Sequence, residues 1–200
     1  LVDYEKNPIC LVTVNPNSKI FARIMDFNLQ ATIDANWIKD KIMKALSLRT
    51  EIFIDSFYRL INAEADGLPG LIADRFNKVV VMQPNAFWTE NMCEVIARSI
   101  KEVCEIDVVI KNAAGRSRRL EGLDDKNSVF FGDIPEGAIS VPMNGAIYKA
   151  DVISGQKTGL FYDQRQNHKF VASLASGKAV LDVFCHVGGF GLAAIAAGAS

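Results

Sequence analysis

The stretch from Ala179 to Gly191, AVLDVFCHVGGFG, decides the fold class of this chain. Its apolar first half predicts a buried strand over 179–184, and the small residues after it predict a helix over 190–197. A glycine-rich turn joins the two. Glycine lets the backbone approach a ligand closely, and the first turn of a helix offers unpaired N–H groups. The stretch therefore predicts a strand–turn–helix unit of an α/β fold, with a turn that suits a cofactor.

Two classes of cofactor use this geometry. Residues 189–194 fit the G-x-G-x-x-A form of the dinucleotide pattern. That pattern begins at the end of the strand, however, and here three residues separate Phe184 from Gly188. An acid in the strand, Asp182, with Gly188 six residues later, fits an S-adenosylmethionine loop better. An ordinary tight turn without a ligand is the third interpretation, and the motif alone leaves all three open.

A second polar segment, SGQKTGLFYDQR, covers residues 154–165. Its donors at 156–159 suit a carboxylate, and its aromatic pair at 161–162 suits the face of an adenine ring. Asp163 and Arg165 suit the methionine end of a cofactor, or they pair with each other. In the simplest interpretation Asp163 only caps a helix. Because the glycine turn follows some twenty residues later, we favour the ligand interpretation.

The rest of the chain predicts an α+β organisation. Strands are predicted over 9–14, 20–27, 57–62, 71–74, 79–83 and 108–111, and helices over 35–47, 89–103 and 163–175. Asp34 is the expected N-cap of the first helix. Asn144-Gly145 between apolar segments predicts a hairpin. Residues 30–125 are expected to fold as one unit.

Three motifs in the same order resemble one protein family. The segment from Gln156 to Arg165, followed by LDVFCHVGGF over 181–190, resembles the bacterial large-subunit ribosomal RNA cytosine-C5 methyltransferases that carry an N-terminal PUA domain. DGLPGLIADRF over 66–76 resembles the central-domain signature of that family, and NPNSKIFAR over 15–23 resembles the end of its PUA domain. This chain departs from the family in carrying His186-Val187 where members have Tyr-Thr.

The resemblance implies a fold of α/β and α+β type in three parts. These are a remnant of a PUA β domain over 1–28, an α+β middle domain over 29–150, and the start of a Rossmann-like class I methyltransferase domain over 151–200. The implied cofactor is S-adenosylmethionine. Its implied binding residues are Lys157, Thr158, Gly159, Phe161, Asp163, Arg165, Asp182, Phe184, Gly188, Gly189 and Phe190. The resemblance also implies that the ribose-binding acid, an Asp-Pro-Pro-like motif and the nucleophilic cysteine lie beyond Ser200, so we expect a fragment that is catalytically silent by itself.

RNA, and specifically 23S ribosomal RNA, is the implied substrate. The candidate RNA contacts are Arg23, Lys111, Arg116, Arg118 and Arg119. A net charge of -1 argues against a surface coated with basic residues, but phosphate contacts need only a few Lys or Arg side chains. For the basic run near Gly115, a solvated loop is the alternative. The rival functions are a non-catalytic RNA-binding module, a methyltransferase of another RNA base or position and, ranked last, a nicotinamide-dependent oxidoreductase.

The four cysteines, Cys10, Cys93, Cys104 and Cys185, show no C-x-x-C spacing. Zinc ligation and a disulfide framework therefore have little support, and we expect free thiols in the cytoplasm and no metal site. C5 methylation of cytosine needs a thiolate that adds to C6. Cys185 lies in the cofactor turn and the others lie in apolar stretches, so none is assigned this role. No apolar run reaches about 18 residues, so no membrane partner is expected, and a homodimer is left open.

Overall fold

The computed structural model describes residues 1–153, 155 and 158–200, which form two compact units, Leu1–Ile134 and Pro135–Ser200. The strands of the first unit are β1 (Leu11–Val14), β2 (Ala22–Asp26), β3 (Phe57–Asn62), β4 (Leu71–Phe76), β5 (Val79–Pro84), β6 (Val108–Lys111) and β7 (Ser128–Phe131). Its helices are α1 (Ala35–Ile52), α2 (Phe87–Asn91), α3 (Cys93–Cys104) and α4 (Arg116–Leu120). The second unit contains β8 (Ile139–Met143), β9 (Ala146–Ala150), α5 (Arg165–Ala175) and α6 (Gly189–Ala196). No helix among the described residues is both long and apolar enough to span a bilayer.

A five-stranded mixed sheet forms the centre of the first unit. Its strand order is β3-β4-β5-β6-β7, and only β5 and β6 run parallel. Parallel neighbours need a long crossover, which α2 and α3 supply here. Helices α1 and α3 pack together and share one core with the sheet, in which Ile38, Leu60 and Ile96 are fully buried. The α+β organisation predicted over 30–125 is therefore confirmed.

Helix α1 begins where the sequence predicts. The Asp34 carboxylate accepts a hydrogen bond from the Trp37 backbone N–H at 2.9 Å, which satisfies one of the free donors of the first turn. The helix continues to Ile52 and is longer than predicted. The Trp37 indole donates to Asp26 at 2.7 Å and Lys41 adds a second contact at 3.1 Å. The hydrogen bond from Trp37, more than the charge of Lys41, lowers the pKa of Asp26 to about 2 and ties β2 to α1.

The N-terminal hairpin of β1 and β2 is anchored to the same unit through one buried carboxylate. Glu121 accepts hydrogen bonds from Asn15 at 3.0 Å, Ser18 at 2.7 Å and Arg23 at 2.8 Å. The backbone N–H of Phe87 also donates to it, at 3.2 Å. Residues 1–28 therefore belong to the compact unit that contains the central sheet, and their assignment to a PUA domain stays a prediction.

The DGLPG segment forms a close contact that requires glycine. Gly70 has a positive φ of +79°, a conformation that costs residues with a side chain about 1–2 kcal/mol. A Cβ at this position would also lie 2.5 Å from the Cβ of Ala86, directly before α2. The turn thus positions β4 and the start of α2 next to each other.

We predict that Gly70→Ala lowers the free energy of unfolding of the first unit by about 2–5 kcal/mol, because overpacking adds about 1–3 kcal/mol to the backbone strain. Gly122→Ala is the matched control, since Gly122 has a similar φ of +76° but no atom within 4 Å of the point that its methyl group would occupy. Urea unfolding followed by tryptophan fluorescence reports on this unit, which contains both tryptophans, Trp37 and Trp88. Equal losses in the two variants would contradict the contact with Ala86.

The second unit begins earlier than the predicted domain boundary between 150 and 151. The hairpin of β8 and β9 forms at Asn144-Gly145 as predicted, with φ values of +53° and +77°. It groups with the C-terminal residues because β9 packs on α6, and the Tyr148 hydroxyl donates to the Gly189 carbonyl at 3.2 Å.

The strand predicted over 179–184 is wrong. Residues 179–184 form no strand, because a strand needs a hydrogen-bonded neighbour and none lies beside them among the described residues. The apolar side chains of Leu181, Val183 and Phe184 are consequently exposed. The alternative interpretation of Asp163 as a helix cap is not realised either, because a short 3₁₀ turn over Tyr162–Gln164 comes first and Gln164 is the N-cap of α5.

Candidate cofactor site

A cleft in the second unit opens at the N-terminal end of α6. Its volume of about 260 Å³ is close to the lower end of the range of about 300–1,000 Å³ that is common for ligand clefts. Five of the predicted cofactor residues line it, namely Phe161, Asp182, Phe184, Gly189 and Phe190. The structure therefore brings residues from both predicted motifs to one place.

The turn before α6 has the backbone geometry that its glycines predict. Gly188 is the N-cap of the helix and has a φ of +74°, which glycine adopts without strain. Asp182 accepts a hydrogen bond from the Gly191 backbone N–H at 2.9 Å. This bond fixes the carboxylate beside the first turn of α6, where it remains part of the cleft wall.

His168 contributes to the cleft, although the sequence patterns gave it no role. It is 4% exposed and lies on α5. Its ring stacks on Tyr148 with centroids 6.3 Å apart and meets the edge of Phe190 at 4.5 Å. A Cβ at Gly189 would lie 2.5 Å from two atoms of the imidazole. The sequence could have indicated its burial, because His168 shares one face of α5 with Ala172 and Ala175 at helical spacing.

The opposite part of the cleft is formed by Phe161 and the turn. The rings of Phe161 and His186 meet edge to face with centroids 4.9 Å apart. Phe184 and His186 both have positive φ values, +60° and +52°. Such values cost residues with side chains free energy, and strained loops of this kind are frequent at ligand sites.

The other predicted cofactor residues do not line this cleft. Thr158 is fully buried, and Gly159 packs so closely on the backbone of Asp151 that a Cβ would lie 2.5 Å from its carbonyl oxygen. Asp163 is exposed, and the Arg165 guanidinium lies over the Tyr162 ring at 5.7 Å. Gly188 lies at the turn as its helix cap. Lys157 lies outside the described residues.

The cleft fits S-adenosylmethionine in the chemistry of its donors and surfaces. Asp182 offers a carboxylate that suits the hydroxyls of a ribose or an ammonium group. The rings of Phe161 and Phe190 offer apolar faces for a base. The absent Cβ at Gly189 leaves the backbone of the first turn of α6 open to close approach.

Two of the candidate RNA contacts are interior residues of the first unit. Arg118 is 1% exposed, and its guanidinium pairs with Glu90 at 2.8 Å and donates to the Asp124 carbonyl at 2.9 Å. Lys111 is buried as well and pairs with the other oxygen of Glu90 at 2.8 Å. A phosphate contact would require both side chains to leave these ion pairs, so the structure gives them a structural role, and RNA binding by them stays a prediction.

The remaining basic candidates differ in accessibility. Arg116 and Arg119 lie on exposed positions of α4, a helix that the sequence patterns did not predict. The Arg23 side chain is 15% exposed and pairs with Glu64 at 3.1 Å and Glu121 at 2.8 Å. Among the five candidates, only the two exposed arginines are therefore placed for contact with a phosphate without loss of an ion pair.

We predict that Arg118→Gln lowers the free energy of unfolding of the first unit by about 3–5 kcal/mol, because it leaves the carboxylate of Glu90 without its best-buried partner. Arg119→Gln, one residue along the same helix, should change it by no more than about 0.5 kcal/mol. Urea unfolding with tryptophan fluorescence measures both. A small loss in Arg118→Gln would show that the buried pair has no structural role.

None of the three cysteines of the first unit is a candidate nucleophile. Burial raises the pKa of the Cys93 thiol to about 12 and that of Cys104 to about 11, so their thiolates are scarce at neutral pH. Cys10 is buried too. Cys185 is exposed and lies in the wall of the cleft at α6.

Comparison with known proteins gives the class to which this site belongs. A family model described as S-adenosylmethionine-dependent methyltransferase matches residues 89–200, more than half of the chain. The chain belongs to this family, and S-adenosylmethionine is accordingly its cofactor.

Curated relatives narrow the similarity further. The chain is 35% identical over 189 residues to a ribosomal RNA large subunit methyltransferase I of Shewanella frigidimarina, a match that covers 93% of this chain and 48% of the relative. The protein of the same name from Photobacterium profundum is 31% identical over 189 residues, again 93% of this chain and 48% of the relative. The chain thus spans about half the length of the curated relatives it matches.

Solved structures support the fold. A protein assigned as an S-adenosylmethionine-dependent methyltransferase from Streptococcus mutans matches with a TM-score of 0.84 at 18% identity, over 100% of this chain and 52% of that one. A second methyltransferase structure, solved in complex with SAH, matches with the same TM-score and identity over 51% of its chain. These similarities confirm the mixed α/β fold.

Proposed function

We propose that the intact protein transfers a methyl group from S-adenosylmethionine to large-subunit ribosomal RNA, at C5 of a cytosine. The observation that carries the proposal is the shared name of the curated relatives, ribosomal RNA large subunit methyltransferase I, together with their match to more than nine-tenths of the chain. The choice of cytosine C5 rests on the motif resemblance alone. The cytoplasm is the proposed location, residues 1–28 are the proposed PUA remnant and residues 151–200 the proposed start of the Rossmann-like domain.

The cleft at α6 would hold and orient the cofactor. When bound, S-adenosylmethionine supplies a methyl group made electrophilic by a positively charged sulfur. Asp182 would accept hydrogen bonds from its polar groups, while Phe161 and Phe190 would cover the base and keep water from it. Thiolate addition to C6 of the cytosine is not assigned to any of the four cysteines in residues 1–200, because three are buried and Cys185 lies in the cofactor cleft.

We predict that Asp182→Ala weakens binding of S-adenosylmethionine by at least about tenfold, because one charge-assisted hydrogen bond contributes about 1.5–3 kcal/mol. Asp182→Asn keeps an oxygen that can accept from the Gly191 N–H, so it separates the loss of charge from the loss of the turn. Glu136→Ala removes one negative charge from an exposed position of the same unit and is the matched control. The dissociation constants are measured by calorimetry on the intact protein.

A loss below about twofold in Asp182→Ala would contradict the assignment of this cleft. Binding of RNA by an intact protein that has no affinity for the cofactor would instead favour the non-catalytic RNA-binding module.

For the RNA partner we predict that the double variant Arg116→Gln/Arg119→Gln weakens binding of a large-subunit ribosomal RNA segment. Each lost phosphate contact should reduce the slope of log K against log salt concentration by about 0.7 to 0.9. The control Lys39→Gln/Arg98→Gln removes two partly or largely exposed positive charges from α1 and α3 of the same unit. Filter binding over a salt series measures both slopes, and an unchanged slope in the first variant would remove α4 from the RNA interface.

A further inference from the structure

The most unusual titratable group in the second unit is the imidazole of His168. It is enclosed by the ring of Tyr148 on β9, the ring of Phe190 on α6 and the backbone of Gly189. Its Nδ1 atom is buried and has no hydrogen-bond partner among the residues that the structure describes. A buried polar atom without a partner is costly, and the cost rises if the ring becomes charged.

The ring contacts the part of the turn that the proposed cofactor would approach. A Cβ at Gly189 would lie 2.5 Å from two atoms of the imidazole, so the ring packs directly on the backbone of this glycine. The Tyr148 hydroxyl donates a hydrogen bond to the Gly189 carbonyl at 3.2 Å. The position of the first residue of α6 is therefore set by one histidine and one tyrosine.

Charged and titratable groups face His168 from several elements. Asp182, in the segment before α6, and Asp163, in the 3₁₀ turn, act on its charge, and Arg165 is three residues before it on α5. Tyr148 faces it from β9, and His186 lines the same cleft from the turn. Burial lowers the pKa of His168 below its usual 6.5, and the two aspartates oppose this effect only in part. At neutral pH the uncharged form of the ring therefore predominates.

We propose that uncharged His168 is the positioning residue of the cofactor turn, and that protonation of its ring disrupts the turn and weakens cofactor binding. The inference rests on the proposed role of this cleft and goes beyond it by naming a residue that acts through Gly189. The effect acts through the packing of the ring. A charged imidazole with an unpartnered Nδ1 leaves its buried position between Tyr148 and Phe190, and Gly189 then loses the ring that supports it.

The link between ring and turn can be tested before any cofactor is added. We predict that, in an NMR titration of the cofactor-free protein, the Gly189 amide shifts with the same pKa as the His168 imidazole, and that this pKa is below 6.5. His168 and His186 are the two histidines of the sequence, and His186→Gln identifies which imidazole signal belongs to which. A Gly189 amide that does not follow His168 would overturn the proposal.

Cofactor binding supplies the second test. If only the uncharged form binds, the apparent dissociation constant of S-adenosylmethionine rises about twofold at the pH of half-protonation of His168, about elevenfold one pH unit below it, and about tenfold more for each pH unit below that. SAH should follow the same curve, because it lacks the positive sulfur and a shape effect acts on both. A weakening confined to S-adenosylmethionine would indicate charge repulsion and overturn the positioning role.

Two variants separate the ring's shape from its charge. His168→Ala should weaken binding at every pH, because it removes the ring that supports Gly189, whereas His168→Phe should recover part of the affinity and show a flatter pH profile than the wild type. Each profile is normalised to its own value at pH 7.5 and is measured by calorimetry. Equal pH profiles in the wild type and His168→Phe would overturn this proposal alone. A wild-type protein that binds no cofactor at pH 7.5 would overturn both this proposal and the proposed function.

Discussion

The close approach of Gly189 to the imidazole of His168 is the constraint on which the cleft at α6 depends. A methyl group on Gly189 would stand 2.5 Å from two ring atoms, so the first residue of α6 must be glycine for the ring to keep its place. Helix α5, strand β9 and helix α6 meet at this one contact. Because glycine has no Cβ, the backbone at the N-terminus of α6 stays accessible, and the three elements can pack closely around it.

In the first unit, two carboxylates, one buried and one partly exposed, bind side chains from distant parts of the chain. Glu121 binds the N-terminal hairpin to the body of the unit, and Glu90 pairs with Lys111 and Arg118. Removing one partner of such an ion pair destabilises a protein strongly, whereas replacing the whole pair by apolar residues is often neutral. Each member of the pair is therefore held in place by its partners. For this reason some of the basic residues that suggest nucleic-acid binding, such as Lys111 and Arg118, lie in the interior, whereas Arg116 and Arg119 lie on the surface.

Local patterns predicted much of the fold. The cap at Asp34, the turn at Asn144-Gly145 and the strand at 108–111 were all predicted within a few residues, because each depends on neighbours in the sequence. The strand predicted over 179–184 did not form, since a strand depends on a hydrogen-bonded neighbour that local sequence does not reveal. His168 escaped prediction for a similar reason: its importance comes from a contact with Gly189, far along the chain.

The central claim is that the cleft at the start of α6 holds S-adenosylmethionine, and hydrogen–deuterium exchange of the intact protein with and without the cofactor tests it most directly. The account predicts slower exchange on cofactor addition in peptides that cover 182–192 and 160–168, with no change in 108–124 of the first unit. Binding that leaves 182–192 unprotected, and protects another segment instead, would contradict it.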